Sequence, residues 1–430
     1  MDSEKIFGVL NEWNFWDREI DTGIRREGYL EEMDKLAATG QIVSIVGARR
    51  TGKSTLLRQY AKSLVDKGAD KKNILFVNLE DPRFSGELSL DLLIKIYEVY
   101  LEYLEPESKP TLFLDEVQNV NGWERFVRGL HERKAAQIFV SGSSSKLLSK
   151  ELGTVLTGRH LSLEVFPLSF KEFLEFKNLR LKNRAEIVSK KRQIKKLLKE
   201  FIDFGSFPKA VLSNEKKEIL TKYLEDIIAR DIAQRYRLRK YGKLERLTRY
   251  YLSNISSQMT FNSIRKFLDM PLDTVERFSE FIASAYLVFF VVRYSYSLKE
   301  QFKSPRKVYC VDTGLRNITS FSFSKDTGKL MENVVFIELM RRKKEVFYWM
   351  DEHRREVDFL IRDKNKIIEL IQVCANPHDE KTRERETKAL AKAMKEFKIK
   401  SATIITAEEE KEEQGICYIP LWKWLLQIHK

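Results

Sequence analysis

Residues 41–64 read QIVSIVGARRTGKSTLLRQYAKSL. A short β-rich run, 41–46, leads into Gly47-Ala48-Arg49-Arg50-Thr51-Gly52-Lys53-Ser54, and from Thr55 onward the apolar residues recur with helical spacing. This is GxxxxGK[ST] in a strand–loop–helix context. The glycines let consecutive backbone N–H groups wrap phosphate oxygens, and the helix N-terminus adds a favourable dipole. The pattern predicts a site for ATP, with Lys53 reaching the β- and γ-phosphates and the Ser54 hydroxyl ligating Mg2+.

Such a loop needs carboxylates from a neighbouring strand, and TLFLDEV (111–117) supplies them. Its apolar run reads as a buried parallel strand. Asp115 at its end is placed to hold the Mg2+ water shell, and Glu116 to polarise an attacking water. ILFVNLED (74–81) and QIFVSGSS (137–144) read as two further strands of the same sheet. Ligands sit off the carboxyl ends of such strands. Ser143 is the first choice for a residue orienting water against the γ-phosphate, with Ser141 the fallback, and a helix is expected from KLLSKEL (146–152). Arg159, following that helix, is placed to stabilise transition-state charge on a γ-phosphate, in cis or from a neighbouring subunit of a homo-oligomer.

The chain has 430 residues and a formal net charge of +14. The excess is local: 177–250 holds 22 Lys+Arg against 9 Asp+Glu, while 1–176 holds 24 against 28. Within it, 177–199 carries ten basic residues against Glu186 alone, on an amphipathic helical pattern. A basic stretch of this kind fits nucleic acid or another polyanion, or a solvated surface. The acidic N-terminus does not read as a signal peptide. The longest apolar run, FIASAYLVFFVV (281–292), is too short for a bilayer span of about 20 residues and reads as a helix end running into a strand. Cys310, Cys374 and Cys417 are widely spaced, and no zinc-ligand spacing occurs. These features predict a cytoplasmic protein with no membrane partner.

Residues 244–258, 260–269 and 272–285 read as three helices, followed by two strands around a basic tip near Lys299–Lys307. That is the pattern of a winged helix. Asp273, Glu276 and Glu280 on the third helix disfavour sequence reading by it, which leaves Lys299, Lys303, Arg306 and Lys307 at the tip as the expected non-specific contacts.

The motif order resembles a family of AAA-type P-loop ATPases from archaea and bacteria with a C-terminal domain of unassigned function. The matching runs include VGARRTGKSTLL (46–57), LFLDEVQNVNGWERFVRGL (112–130), TGRHLSLEVFPLSFKEFL (157–174), FGSFPKAV (204–211), RKVYCVDTGL (306–315), ENVVFIEL (332–339) and REVDFLI (355–361). The resemblance implies an α/β multidomain chain: an AAA+-like P-loop core with a parallel sheet (1–176), a basic helical lid (177–240), a winged helix (241–320) and a nuclease-like α/β domain (321–430). It places Arg159 at the arginine-finger position. The last domain resembles the PD-(D/E)xK nuclease core, a restriction-endonuclease-like fold. There Glu332 or Glu338 fits the first acidic position and Asp358 the second. The third position reads Gln372 and Cys374 where Glu-x-Lys is expected. A neutral ligand and a lost ammonium predict a degenerate site without hydrolysis, unless Glu356 and Glu369 rescue a metal with shifted geometry. The expected activity is Mg2+-dependent ATP hydrolysis acting with nucleic acid. The rivals are a nucleotide switch working through protein partners and an ATP-dependent nuclease.

Overall fold

The computed structural model describes residues 1–144, 158–238, 240–319, 327–376 and 380–427. The helix expected over 146–152 lies outside these residues. The chain forms two compact units, Met1–Val165 and Phe166–Lys430.

In the first unit five strands, β1 (Ile42–Val46), β2 (Ile74–Asn78), β3 (Thr111–Asp115), β4 (Gln137–Gly142) and β5 (His160–Glu164), form one sheet in the order β2-β3-β4-β1-β5. All four pairings are parallel. The alternation of a strand puts successive side chains on opposite faces, and here both faces are buried. Val43, Ile45, Phe76, Phe113 and Phe139 pack with Leu56, Leu57 and Tyr60 of the Lys53–Asp66 helix. Ile42, Leu75, Val77, Leu112 and Ile138 pack with Leu93, Ile96 and Tyr100 of the Leu90–Leu104 helix on the other face. This is why the strands read as near-continuous apolar runs. The edge strand β2 is covered. Asn14 is fully buried, its Oδ1 accepts from Phe76 N, its Nδ2 donates to Phe76 O, and Trp16 Nε1 donates to Ile74 O. Side-chain groups thereby satisfy edge backbone groups that otherwise template foreign strands.

The second unit begins ahead of residue 177. The Phe170–Phe176 helix packs through Phe170 and Phe173 on Phe201 of the Lys191–Phe204 helix, with ring centroids 5.4 and 5.3 Å apart. Next come the Tyr241–Ser253 helix, β6 (Ser257–Met259), the Phe261–Leu268 and Leu272–Ser284 helices, β7 (Val288–Val291) and β8 (Arg306–Cys310). The three strands form an antiparallel sheet in the order β6-β8-β7. Sequence reading misses β6, three residues between two helices. The tip between β7 and β8 carries the Leu298–Lys303 helix, and its base is docked: Tyr294 N donates to Tyr348 O, and Tyr348 N to Val292 O.

A six-stranded sheet follows, in the order β13-β14-β12-β11-β10-β9, where β9 is Glu345–Met350, β10 Glu356–Asp363, β11 Lys366–Val373, β12 Ala402–Thr406, β13 Lys411–Glu413 and β14 Ile416–Pro420. The Glu380–Phe397 helix covers one face through Ala389, Leu390 and Ala393. No helix among the described residues is long and apolar enough to cross a membrane.

Candidate active site

The loop between β1 and the Lys53–Asp66 helix is shaped by two glycines. Gly52 caps the helix at φ 96°, and Gly47 sits at φ 143°. A Cβ on Gly47 would lie 2.2 Å from Val165 O, so the backbone of β1 and the end of β5 approach too closely for any side chain. Gly47→Ala is therefore expected to force the loop or β5 aside. At about 1–3 kcal/mol of strain, nucleotide affinity falls roughly 10- to 100-fold, readable by titration with a fluorescent ATP analogue.

Lys53 is buried, and its Nζ donates to Gly47 O (3.1 Å) and Ala48 O (3.0 Å), while Thr51 Oγ1 donates to Ala48 O (2.9 Å). A residue unnoticed in the sequence supports the loop from behind: the buried Arg26 donates to Thr51 O at 3.0 Å. Arg26 is held in turn by Gln59, which accepts from Arg26 N and donates to Thr22 O and Ile24 O. A polar residue at a core position of an amphipathic helix was the available signal. Arg49 reaches Glu80 beyond β2 at 2.8 Å, whereas Arg50 adopts a left-handed φ of 69° within the loop.

The carboxylates stand at the end of β3. Ser141 Oγ donates to Asp115 Oδ1 and accepts from Glu116 N at 2.9 Å. Burial and the adjacent Glu116 push the Asp115 carboxyl up to about 6, against hydrogen bonds from Ser141 and Ser54 and the charge of Lys53. Ser54, Lys53, Asp115 and Glu116 are thus gathered in one place. Glu116 has a left-handed φ of 55°, a strained conformation for a residue with a Cβ. That turn swings its carboxylate off the strand direction, where Gln118 Nε2 donates to it. Ser141, the fallback, makes these contacts, while Ser143 is buried just beyond the end of β4.

These residues fit a nucleotide and its metal. The loop offers backbone N–H groups at a helix N-terminus, and a hydroxyl and a carboxylate face each other as hard-cation ligands do. Ser54 and Asp115 are the residues that would hold Mg2+.

Arg159 lies elsewhere. β1 and β5 run parallel with Ile42 opposite His160, so Arg159 sits at the N-terminal edge of the sheet and the P-loop at the other. Five residues of strand span about 16 Å, which removes Arg159 from its own P-loop and leaves the in-trans alternative. Its guanidinium is half exposed and pairs with Glu132 at 3.2 Å.

In the second unit the nuclease-like positions part company. Glu332 is buried beside Asp358, both contacting Lys307. Glu338 is engaged by Arg341 (2.5 Å) and Arg342 (2.9 Å) and takes no part in that cluster. Gln372 is a strut: its Oε1 accepts from Asp358 N at 2.9 Å and its Nε2 donates to Glu386. Burial pushes the Cys374 thiol up to about 11, so it remains protonated and apolar in character. Glu369, three residues from Gln372 on β11, falls on the opposite face. Lys307, expected exposed at the wing, is 2% exposed on β8. Strand alternation turns it inward, where carboxylates neutralise it.

A family model for an AAA domain matches residues 39–174, and two domains of unknown function, DUF8612 and DUF4143, match 195–326 and 327–424. The chain is 37% identical to the uncharacterized protein MJ1544 of Methanocaldococcus jannaschii over 90% of this chain and 88% of that protein. It is 30% identical to an uncharacterized protein of Haemophilus influenzae, over 94% of this chain and 99% of that one. Among solved structures it is similar to the Walker-type ATPase PABY2304 of Pyrococcus abyssi, with 14% identity over 71% of this chain and 99% of that chain and a TM-score of 0.44. By its identity with these full-length relatives, the chain belongs to the family of MJ1544, and residues 39–174 form its AAA domain.

Proposed function

We propose that the chain hydrolyses ATP at the P-loop and couples turnover to a nucleic-acid partner. The observation that carries the first half is the gathering of Lys53, Ser54, Asp115 and Glu116 at one sheet edge, with Ser141 tying the two carboxylate residues together. In this reading the loop amides and Lys53 bind the β- and γ-phosphates. Bound Mg2+ would neutralise charge on the phosphate oxygens. Glu116 accepts a proton from the attacking water, and its strained turn fixes the carboxylate for that task. Arg159 acts on the nucleotide of a neighbouring copy. Arg159→Ala is then expected to leave ATP affinity within about twofold while turnover falls about 10³-fold or more. Wild-type turnover should rise with protein concentration, as measured by phosphate release across a dilution series.

The second half rests on the Lys191–Phe204 helix and the short Arg184–Ser189 helix before it, where Arg184, Lys191, Arg192, Lys196 and Lys199 are exposed, with Lys182 exposed just ahead of them. The helix–strand–helix–helix–strand–helix–strand order of 241–310, in which a short helix is inserted in the tip between the last two strands, supports a winged helix. Its third helix exposes Asp273, Glu276 and Glu280, so contact with phosphates falls to the basic helix and to Lys299 and Lys303, which are exposed on the tip. Replacing Lys191, Arg192, Lys196 and Lys199 together by Glu should weaken binding to a labelled duplex. It should also flatten the dependence on salt, by about 0.9 in log–log slope for each phosphate no longer neutralised. A wild-type chain with no salt-dependent affinity in low-salt anisotropy measurements would instead favour a switch working through protein partners.

A further inference from the structure

The carboxylates expected to hold a metal in the C-terminal domain converge on a lysine from another sheet. Lys307 Nζ lies 2.7 Å from Glu332 Oε1 and 2.9 Å from Asp358 Oδ1, and it also contacts Glu356. Lys307 comes from β8 of the three-stranded sheet, Glu332 from the Thr327–Arg341 helix, and Glu356 and Asp358 from β10. An ammonium has three donors; Glu332 and Asp358 each accept one here, and Glu356 is paired with the charge.

Each carboxylate is also held by a second partner, on the other oxygen for Asp358 and Glu356 and on the same oxygen for Glu332. Tyr309 Oη donates to Glu332 Oε1 at 2.7 Å, Val373 N to Asp358 Oδ2 at 2.9 Å, and Gln258 Nε2 to Glu356. Gln372 and Glu386 form a further layer behind Asp358. This arrangement of orienting partners is what metal ligands require, yet its centre is filled by a side chain. Burial opposes the charge of Lys307, but Asp358, Glu332 and Glu356 hold its proton affinity well above the ordinary lysine value.

We propose that the Lys307 ammonium is the resident cation of the Glu332–Glu356–Asp358 cluster, so that the native cluster takes no divalent ion and acquires one when Lys307 loses its charge. One positive charge faces the carboxylates of Glu356 and Asp358, with Glu332 held largely protonated beside them, in a water-poor interior where uncompensated charge is costly. The excess is therefore negative, and a divalent cation matches it better than a monovalent one. The ammonium excludes that cation by occupying the space between the carboxylates. Replacement by the shorter, neutral Gln removes the charge and vacates that space, leaving three preorganised oxygen ligands, the donor set that Mn2+ and Mg2+ prefer.

The test is Mn2+ titration of the nucleotide-free full chain, read by loss of the free-ion electron paramagnetic resonance signal. All variants carry Asp115→Asn to weaken the P-loop metal site. The expected result is that Lys307→Gln gains one Mn2+ per chain relative to the Lys307 parent, and that adding Glu332→Gln removes the gain. A Mn2+ bound by the parent and lost on Asp358→Asn would overturn the proposal, as would a folded Lys307→Gln chain that gains none. If Lys307→Gln unfolds, recovery of its thermal transition by Mn2+ supports the proposal, and failure of any Mn2+ concentration to restore it counts against it.

Discussion

Glu116→Gln is expected to bind ATP with wild-type affinity and to turn it over about 10²- to 10⁴-fold more slowly, the range attributed to a positioned general base. The amide preserves size and still accepts a hydrogen bond, but it cannot take a proton from water. In the proposed reading, ground-state contacts to the phosphates would come from the loop amides and Lys53, which the substitution leaves alone. The split between unchanged affinity and lost turnover is the signature of an interaction made only in the transition state. Asp115→Asn should behave differently. Asp115 faces Ser54 and Ser141, so its loss weakens metal-dependent nucleotide binding as well as turnover. Isothermal titration with a non-hydrolysable ATP analogue, with and without Mg2+, separates the two variants.

The second large effect is on stability. Lys307→Ala is expected to destabilise the second unit by about 3–5 kcal/mol, because removing one partner of a buried ionic cluster leaves uncompensated charge behind. Urea unfolding followed by tryptophan fluorescence reads this directly. Replacing Lys307 by Met together with Glu332→Gln and Asp358→Asn should recover most of the loss, since the carboxylates that needed the ammonium are then largely neutral. The cluster also has a pH signature. Burial and the Asp358 charge push the Glu332 carboxyl from 4.5 up to about 8. A group whose proton affinity is higher in the folded state than in the unfolded state favours folding while protonated in both. Stability from Glu332 is thus complete below pH 4.5 and is lost as pH rises toward about 8. Glu332→Gln should flatten that descent, because the amide still accepts from Lys307 and Tyr309 but no longer titrates.

The two sites differed in how far the chain could be read without coordinates. The P-loop was legible because its chemistry is local: eight consecutive residues make the loop, and the apolar run before Asp115 marks the strand that brings the carboxylates to it. Four strands of the parallel sheet followed from the same runs, since burial on both faces writes itself as unbroken hydrophobicity, whereas the half-exposed edge strand β5, HLSLE, left no such run. Arg159 was legible as a cation following the helix expected over 146–152, but the sheet edge on which it stands depends on the pairing of Ile42 with His160, residues 118 positions apart in the chain. Lys307 was misread for a related reason. A basic run beside a turn looks like an exposed tip, and local pattern does not say that Glu332 and Asp358, 25 and 51 residues away, approach the same strand face. The lysine missing beside Gln372 on β11 therefore seemed absent from the domain, when an ammonium reaches the same carboxylates from β8.

The account stands most directly on ATP turnover by the purified full chain, measured as phosphate release with Mg2+ beside its Lys53→Ala variant. Lys53 is the loop's buried cation, and in the proposed reading it supplies the charge directed at the β- and γ-phosphates. The expected result is Mg2+-dependent hydrolysis by the wild type that falls to background in Lys53→Ala. Equal turnover by the two proteins, or a wild type that binds no ATP, would contradict the assignment of the loop, the carboxylates and the strained Glu116 turn to a single hydrolytic site.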